Sequence, residues 1–170
     1  VTRRQVKTIT YAFLYGAGNT KIGYTYDKQL SEAQAKKKGR EIREAYVAAI
    51  PGLKELLEAV HKASERGYVR GLDNRRILVD SRHKSLNYLI QGSSAIIAKR
   101  WMVLANEKLP RHTHQLAFVH DELQFETKEE QVKDLKFLLE LTATEAGEFY
   151  KLRCPIAAEA KSGATWADVH

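Results

Sequence analysis

Two short apolar runs that flank adjacent carboxylates constrain this chain most. Residues 116–119 are apolar, Leu123 and Phe125 alternate with a polar residue, and His120, Asp121 and Glu122 lie between the runs. This pattern predicts two antiparallel strands joined by a tight turn, with the carboxylates at its tip. Carboxylate oxygens are the ligands that Mg²⁺ or Mn²⁺ prefers, so the tip is a candidate metal site. A polar, solvent-facing turn without a metal is the alternative.

The rest of the sequence predicts helices around this hairpin. Helical periodicity or capping patterns indicate helices over about 3–15, 31–50, 51–66, 85–107 and 127–150, and turn signals indicate a short hairpin over 68–79. A final strand over 155–160 is expected to complete a small antiparallel sheet backed by helices. The fold class is therefore predicted to be α+β, with a helical N-terminal lobe over 1–80 and an α+β C-terminal lobe over 81–170.

A stripe of cationic and aromatic residues marks the first predicted helix. Arg3, Lys7, Tyr11 and Tyr15 recur at a spacing of four, which places them on one face of a helix. The two steps from Arg3 to Tyr11 span about 12 Å along the helix. That length suits a triphosphate followed by a sugar and a base. A solvated basic face, with the tyrosines packed in the core, is the alternative.

Two further features of the sequence allow a functional and a structural interpretation. Gly16-Ala17-Gly18 resembles part of a phosphate-binding loop, but it is predicted to end a helix instead of preceding one and it lacks the Gly-Lys-Ser/Thr ending, so a helix stop is favoured. Asn87 and Gln91 are four apart on an otherwise apolar helix. Their amides can contact a nucleic-acid groove edge or cap neighbouring loops.

The composition limits the class of partner that the chain is expected to bind and the compartment in which it is expected to work. The chain has 170 residues, 44% hydrophobic content and a net charge of +7, which favours a polyanionic partner. Its single cysteine, Cys154, fits a reducing compartment. No transmembrane run or secretory leader is evident, so we expect a cytoplasmic protein, in the host cytoplasm if viral, without a membrane partner. The start at Val1 indicates a piece of a longer or processed product.

The order of several motifs resembles that of family A DNA polymerases, most closely the bacteriophage branch, over essentially the whole chain. The motifs are Arg3-x3-Lys7-x3-Tyr11-x3-Tyr15-Gly16, Leu72-x-x-Arg75-Arg76, Asn87-x3-Gln91-Gly92, Val119-His120-Asp121-Glu122, and the closing Gly163-x-x-Trp166 with His170. Two departures stand out. Ala12 replaces the glycine that commonly follows the aromatic residue, which is Tyr11 here, and Asn74 replaces a turn glycine.

The resemblance implies roles for these residues. Arg3 and Lys7 would bind the phosphates of the incoming dNTP, Tyr11 would lie beside its sugar and base, and Tyr15 would lie near the templating base. Asp121 would bind the catalytic metals and Glu122 would support that site. His120 would lie at the primer end, and Asn87 and Gln91 would contact the minor groove of the duplex.

The resemblance also implies a partial right-hand fold, with fingers over 1–80 and the second half of the palm over 81–170. The implied reaction is template-directed DNA synthesis on primer-template DNA with two Mg²⁺ ions. The family's other metal-binding aspartate, in an Asp-Tyr-Ser motif, is expected upstream in an N-terminal half. Within this chain, Asp80, Glu126 and Glu159 are possible further carboxylate donors, but none stands in a distinctive setting. The chain alone is therefore expected to be inactive.

Two other functions fit parts of the sequence. A non-catalytic nucleic-acid-binding module would use the basic surface alone, and its binding would not depend on Asp121. A metal-dependent phosphohydrolase would be built around His120 and Asp121, but such sites gather further histidines, and the other histidines here are scattered or lie in an irregular stretch.

Overall fold

A computed structural model describes residues 2–169, in two compact units that divide between Gly92 and Ser93. The helices are α1 Arg3–Leu14, α2 Asn19–Tyr26, α3 Glu32–Ala49, α4 Leu53–Ser64, α5 Ser85–Glu107, α6 Val132–Phe149 and α7 Trp166–Val169. The strands are β1 Tyr68–Arg70, β2 Arg76–Leu78, β3 His114–Val119 and β4 Glu122–Glu126. The helices and the two antiparallel hairpins confirm the α+β class. The assignment of 1–80 and 81–170 to functional lobes stays a prediction, and the motif residue His170 lies outside the described residues.

Capping side chains fix where the first long helices begin. Thr2 and Gln5 form a capping box at the start of α1, and Ser31 and Gln34 form the predicted one at the start of α3. In each box the hydroxyl accepts from a free backbone N–H, while the Gln side chain accepts from the N-cap N–H. The α3 prediction is confirmed at both ends.

The first unit has a core between α1, α4 and α5. Phe13, Leu53 and Leu86 are buried together, and Tyr46 packs its ring 4.8 Å from that of Phe13. Helix α2, which the sequence pattern did not predict, packs closely on α3. Gly23 lies against the backbone of Ala35, where a Cβ would clash, so small residues set this helix spacing.

The second unit is built from the end of α5, the β3–β4 hairpin and α6. Ala105, Leu135 and Leu139 form its buried cluster. Trp101 joins α5 to α6, because its indole N–H donates to the Leu139 carbonyl oxygen at 2.9 Å. Phe125 of β4 packs against the same cluster, and Leu123 of β4 is buried.

Three predictions about the elements were wrong. Residues 155–160 form no strand, because their backbone bonds go to α6 side chains: the Thr144 hydroxyl donates to the Ile156 carbonyl oxygen, and the Ala160 N–H donates to Glu140. Residue Thr127 does not cap a helix with Glu130. Its hydroxyl pairs with that of Thr113 at 2.7 Å, and α6 begins five residues later, after a 3₁₀ turn.

The third wrong prediction concerns the glycine segment after α1. It ends α1 as predicted, but Gly18 is also the N-cap of α2, so the segment precedes a helix too.

Among residues 2–169, no helix is long and apolar enough to cross a membrane.

Candidate nucleotide and metal sites

The four predicted stripe residues lie on the exposed face of α1. Arg3, Lys7, Tyr11 and Tyr15 are all exposed, and the two tyrosines retain 48% and 52% of their surface. Ile9 and Phe13 of the same helix are buried, so the helix presents opposite faces to core and solvent. The alternative in which the tyrosines pack in the core is wrong.

Neighbouring side chains of the stripe interact along the helix. The Lys7 ammonium lies 5.9 Å from the Tyr11 ring centroid, within the range of a cation–π contact. The Tyr11 and Tyr15 rings stack with centroids 6.2 Å apart and planes inclined by 20°. The result is a continuous surface that passes from positive charge to two aromatic rings, and it can bind an anion joined to a planar group.

The C-terminal end of the stripe is fixed by hydrogen bonds to α5 and to its own helix. The Gln91 amide donates to the Tyr15 hydroxyl at 3.1 Å, which brings together two predicted site residues far apart in sequence. Gly16 adopts φ +73°, and the N–H groups of Gly16 and Ala17 donate to the carbonyl oxygens of Phe13 and Ala12 at 3.0 and 2.8 Å. These two bonds form a Schellman motif, which requires a left-handed residue after the helix. Asn87 is half-buried one turn before Gln91 on α5.

Arg43 was missed by sequence reasoning and supports the same segment. Its guanidinium donates to the Ala17 carbonyl oxygen and, at 2.8 Å, to the Asn19 side chain, and it lies 5.3 Å from the Phe13 ring centroid. Burial lowers the pKa of Arg43 from its ordinary value. Nothing in the polar sequence of α3 distinguishes this arginine from its exposed neighbours, because its role depends on how α3 packs on α2.

In the second unit, the predicted carboxylates stand at the tip of the β3–β4 hairpin. Val119 pairs with Glu122, so His120 and Asp121 alone form the turn. His120 has φ +57°, a left-handed conformation that is uncommon for non-glycine residues and allows a two-residue reversal. Asp121 is exposed and Glu122 is half-buried, accepting a hydrogen bond from the Gln124 amide.

The tip opens into a cleft of about 880 Å³ between β4, α6 and the C-terminal segment. Asp121, Glu122, Glu126 and Glu159 all line this cleft. Their oxygens are hard donors, so the chemistry of the lining fits Mg²⁺. Across the described residues, however, no group of three His, Cys, Asp or Glu side chains is close enough to hold a metal ion.

Asp80, the remaining candidate carboxylate, lies in the first unit and is committed to other partners. The Tyr88 hydroxyl donates to it at 2.9 Å and Lys84 lies 3.6 Å away. The hydrogen bond from Tyr88, with the charge of Lys84, holds the pKa of Asp80 below its ordinary value. These partners satisfy the carboxylate without a metal.

The sequence is similar to DNA polymerases over nearly its whole length. Residues 1–168 match the sequence profile of DNA polymerase family A. The DNA-directed DNA polymerases of Enterobacteria phage T3 and Escherichia phage T7 are each 32% identical over 197 aligned residues, covering 99% of this chain and 27% of theirs. The DNA polymerase I of Bacillus caldotenax is 31% identical, over 98% of this chain and 20% of its own.

A solved structure shows the same fold. It is the POL domain of Pol1 from M. smegmatis in complex with DNA primer-template and dNTP, with a TM-score of 0.82 and 28% identity over 99% of this chain and 31% of that one. The chain thus spans about a quarter of the length of the phage polymerases that it matches.

Proposed function

Since the chain belongs to DNA polymerase family A, we propose that it supplies part of the site for template-directed DNA synthesis. The observation that carries this proposal is the exposed stripe on α1, in which two cationic side chains are followed by two stacked tyrosines. The hydroxyl of the second tyrosine, Tyr15, accepts a hydrogen bond from the Gln91 amide. A nucleoside triphosphate has the matching order of groups, with phosphates at one end and a planar base at the other.

The nucleotide would lie along α1. Arg3 can grip phosphate oxygens with its planar fork, and Lys7 adds a compact charge one turn later. Tyr11 would lie beside the sugar and base, and Tyr15 near the templating base. Because Gln91 already binds the Tyr15 hydroxyl, it would orient that ring and, with Asn87, contact the duplex minor groove.

The reaction proposed is attack of the primer 3′-oxygen on the α-phosphorus of the dNTP. A bond forms between these atoms, the bond from the α-phosphorus to the oxygen that bridges the α- and β-phosphates breaks, the hydroxyl proton passes to solvent water, and pyrophosphate leaves. Asp121 would hold Mg²⁺, with Glu122 supporting the site and His120 at the primer end. Bound Mg²⁺ would lower the pKa of the attacking hydroxyl and stabilise the charge on the leaving group.

We expect the chain to need a partner for activity. The described residues contain no complete cluster of metal ligands, and the relatives are about four times longer. The proposal therefore includes an N-terminal half that carries the other metal-binding aspartate, together with primer-template DNA and dNTPs, acting in the cytoplasm.

Primer extension tests this proposal. The 170-residue chain alone should not extend a primer with Mg²⁺ and dNTPs, whereas a polymerase that also contains the N-terminal half should. In that polymerase, Asp121→Asn should slow the chemical step by about 10²-fold or more and leave duplex affinity within about threefold, because a metal ligand is lost and the DNA surface is kept.

Asp134→Asn is the matched control, since it removes an exposed carboxylate at the start of α6. Its extension rate should stay within about twofold of the unmodified enzyme. Extension by the isolated chain, or equal rates for the two variants, would contradict the proposal. DNA binding without any Asp121-dependent synthesis would favour the non-catalytic binding module.

A further inference from the structure

The β1–β2 hairpin carries a concentrated positive charge to which the proposed function assigns no role. Residues 66–78 contain four arginines and one acid, Asp73, and that acid is held by Arg75. Arg66, Arg70, Arg75 and Arg76 are all exposed. None of the residues proposed above to bind the nucleotide, the duplex or the metal lies in this segment.

The two faces of the hairpin differ in character. Val69 is buried, and its cross-strand partner Ile77 packs beside Gly92. Because side chains alternate along a strand, the opposite face carries Tyr68, Arg70 and their partners. Those partners are Leu78, which is 80% exposed, and Arg76.

Two arginines therefore stand directly opposite each other on the exposed face. Arg70 pairs with Arg76 in the register of the strands, and like charges in that position destabilise a hairpin. Their side chains diverge: Arg70 donates to the Asn74 carbonyl oxygen at 3.0 Å, while the Arg76 guanidinium lies 4.8 Å from the Tyr68 ring centroid. Arg66 lies over the same ring at 5.5 Å. A bound polyanion would reduce the repulsion between the positive charges of Arg70 and Arg76.

We propose that the outer face of the β1–β2 hairpin binds a single-stranded stretch of nucleic acid. Guanidinium groups bind phosphates with two parallel hydrogen bonds, and charges repeated along a strand suit a polymer of phosphates. The Tyr68 ring, the guanidinium groups of Arg66 and Arg76 near it, and exposed Leu78 give a surface against which unpaired bases can pack. A duplex keeps its bases stacked inside and would use only the charges. This inference rests on the proposed function, which brings DNA to this chain.

Fluorescence anisotropy with a labelled oligo-dT of about 16 nucleotides tests the inference on the 170-residue chain, without Mg²⁺ or dNTP. The variant Arg70→Gln/Arg76→Gln should bind at least about tenfold more weakly at low salt. The slope of log affinity against log salt should fall in magnitude by about 1.4, since two phosphate contacts are lost from a single strand. Leu78→Ser should weaken binding about threefold without changing the slope.

Lys36→Gln/Arg40→Gln is the matched control, because it removes the same charge from two exposed residues one turn apart on α3. Its affinity should stay within about twofold of the unmodified chain, with the same slope. Near-UV circular dichroism and Tm show that each variant remains folded.

Equal weakening by the two double variants would overturn the inference, as would absence of binding or tighter binding of a duplex of equal length. Binding of poly-glutamate that depends on the hairpin, with oligo-dT binding that does not, would overturn it in favour of an acidic protein partner. A failure of the proposed function can be distinguished from a failure of this inference. If only the proposed function is wrong, primer extension will not depend on Asp121, but oligo-dT binding will still depend on the arginines of the hairpin.

Discussion

At the scale of single residues, the connection after α1 depends on a glycine that no other residue can replace without strain. Gly16 has φ +73°, and a Cβ there would lie 2.5 Å from the His83 carbonyl oxygen. We expect Gly16→Ala to lower the free energy of unfolding by about 2 kcal/mol or more, from the left-handed backbone and this clash together. Urea denaturation measures the change.

Gly18 provides the control for this prediction within the same segment. Its φ is −67°, and a Cβ at this position would meet no atom within 4 Å. Gly18→Ala should therefore change stability by no more than about 0.5 kcal/mol, since the freedom that the unfolded chain loses is offset by alanine being a weaker N-cap of α2 than glycine. Equal losses in the two variants would show that neither the positive φ nor the His83 contact matters.

At the scale of elements, α1 and α5 are joined by the hydrogen bond from Gln91 to the Tyr15 hydroxyl. Tyr15→Phe and Gln91→Leu each remove this bond, so a double-mutant cycle in urea should give a coupling of about 0.5–1 kcal/mol. Both residues are exposed, which keeps the value at the low end. As a control, a cycle that pairs Tyr15→Phe with Gln124→Leu should show no coupling. Zero coupling for Tyr15 and Gln91 as well would mean that the bond does not join the helices in solution.

The sequence predicted these elements best where a local signal sets them. The hydroxyl of Ser31 and the amide of Gln34 act within one turn, so the start of α3 was predicted correctly. The spacing of the α1 stripe was also sufficient, because helix geometry alone puts those residues on one face. The Thr127 box failed since Thr113, fourteen residues earlier, takes its hydroxyl, and no local pattern contains that partner.

Features that require packing between distant segments could not be predicted. Glu159 and the hairpin tip line one cleft because residues 156–160 bond to side chains of α6. A strand was predicted over 155–160 because extended propensity does not specify which segment accepts or donates the backbone hydrogen bonds. Arg43 is a similar case, since its partners Ala17 and Asn19 are more than twenty residues away.

At the scale of the whole molecule, stability should depend on pH through His61 at the end of α4. Burial, together with the nearby charge of Arg82, lowers the pKa of His61 below 6.5 in the folded chain. The unfolded chain therefore binds a proton at a pH where the folded chain does not. The stability that this group contributes is complete above about pH 6.5 and is lost as the pH falls through the folded value.

Urea midpoints at pH 7.5 and 5.5 measure this effect as a difference within each variant. The urea midpoint of the unmodified chain should be lower at pH 5.5 than at pH 7.5. The midpoint of His61→Gln should decrease by less between these pH values, because the histidine with the lowered pKa is gone. His114→Gln removes an exposed histidine from β3 and should keep the full pH dependence. If His114→Gln reduces the dependence as much as His61→Gln does, the burial of His61 beside Arg82 is not its cause.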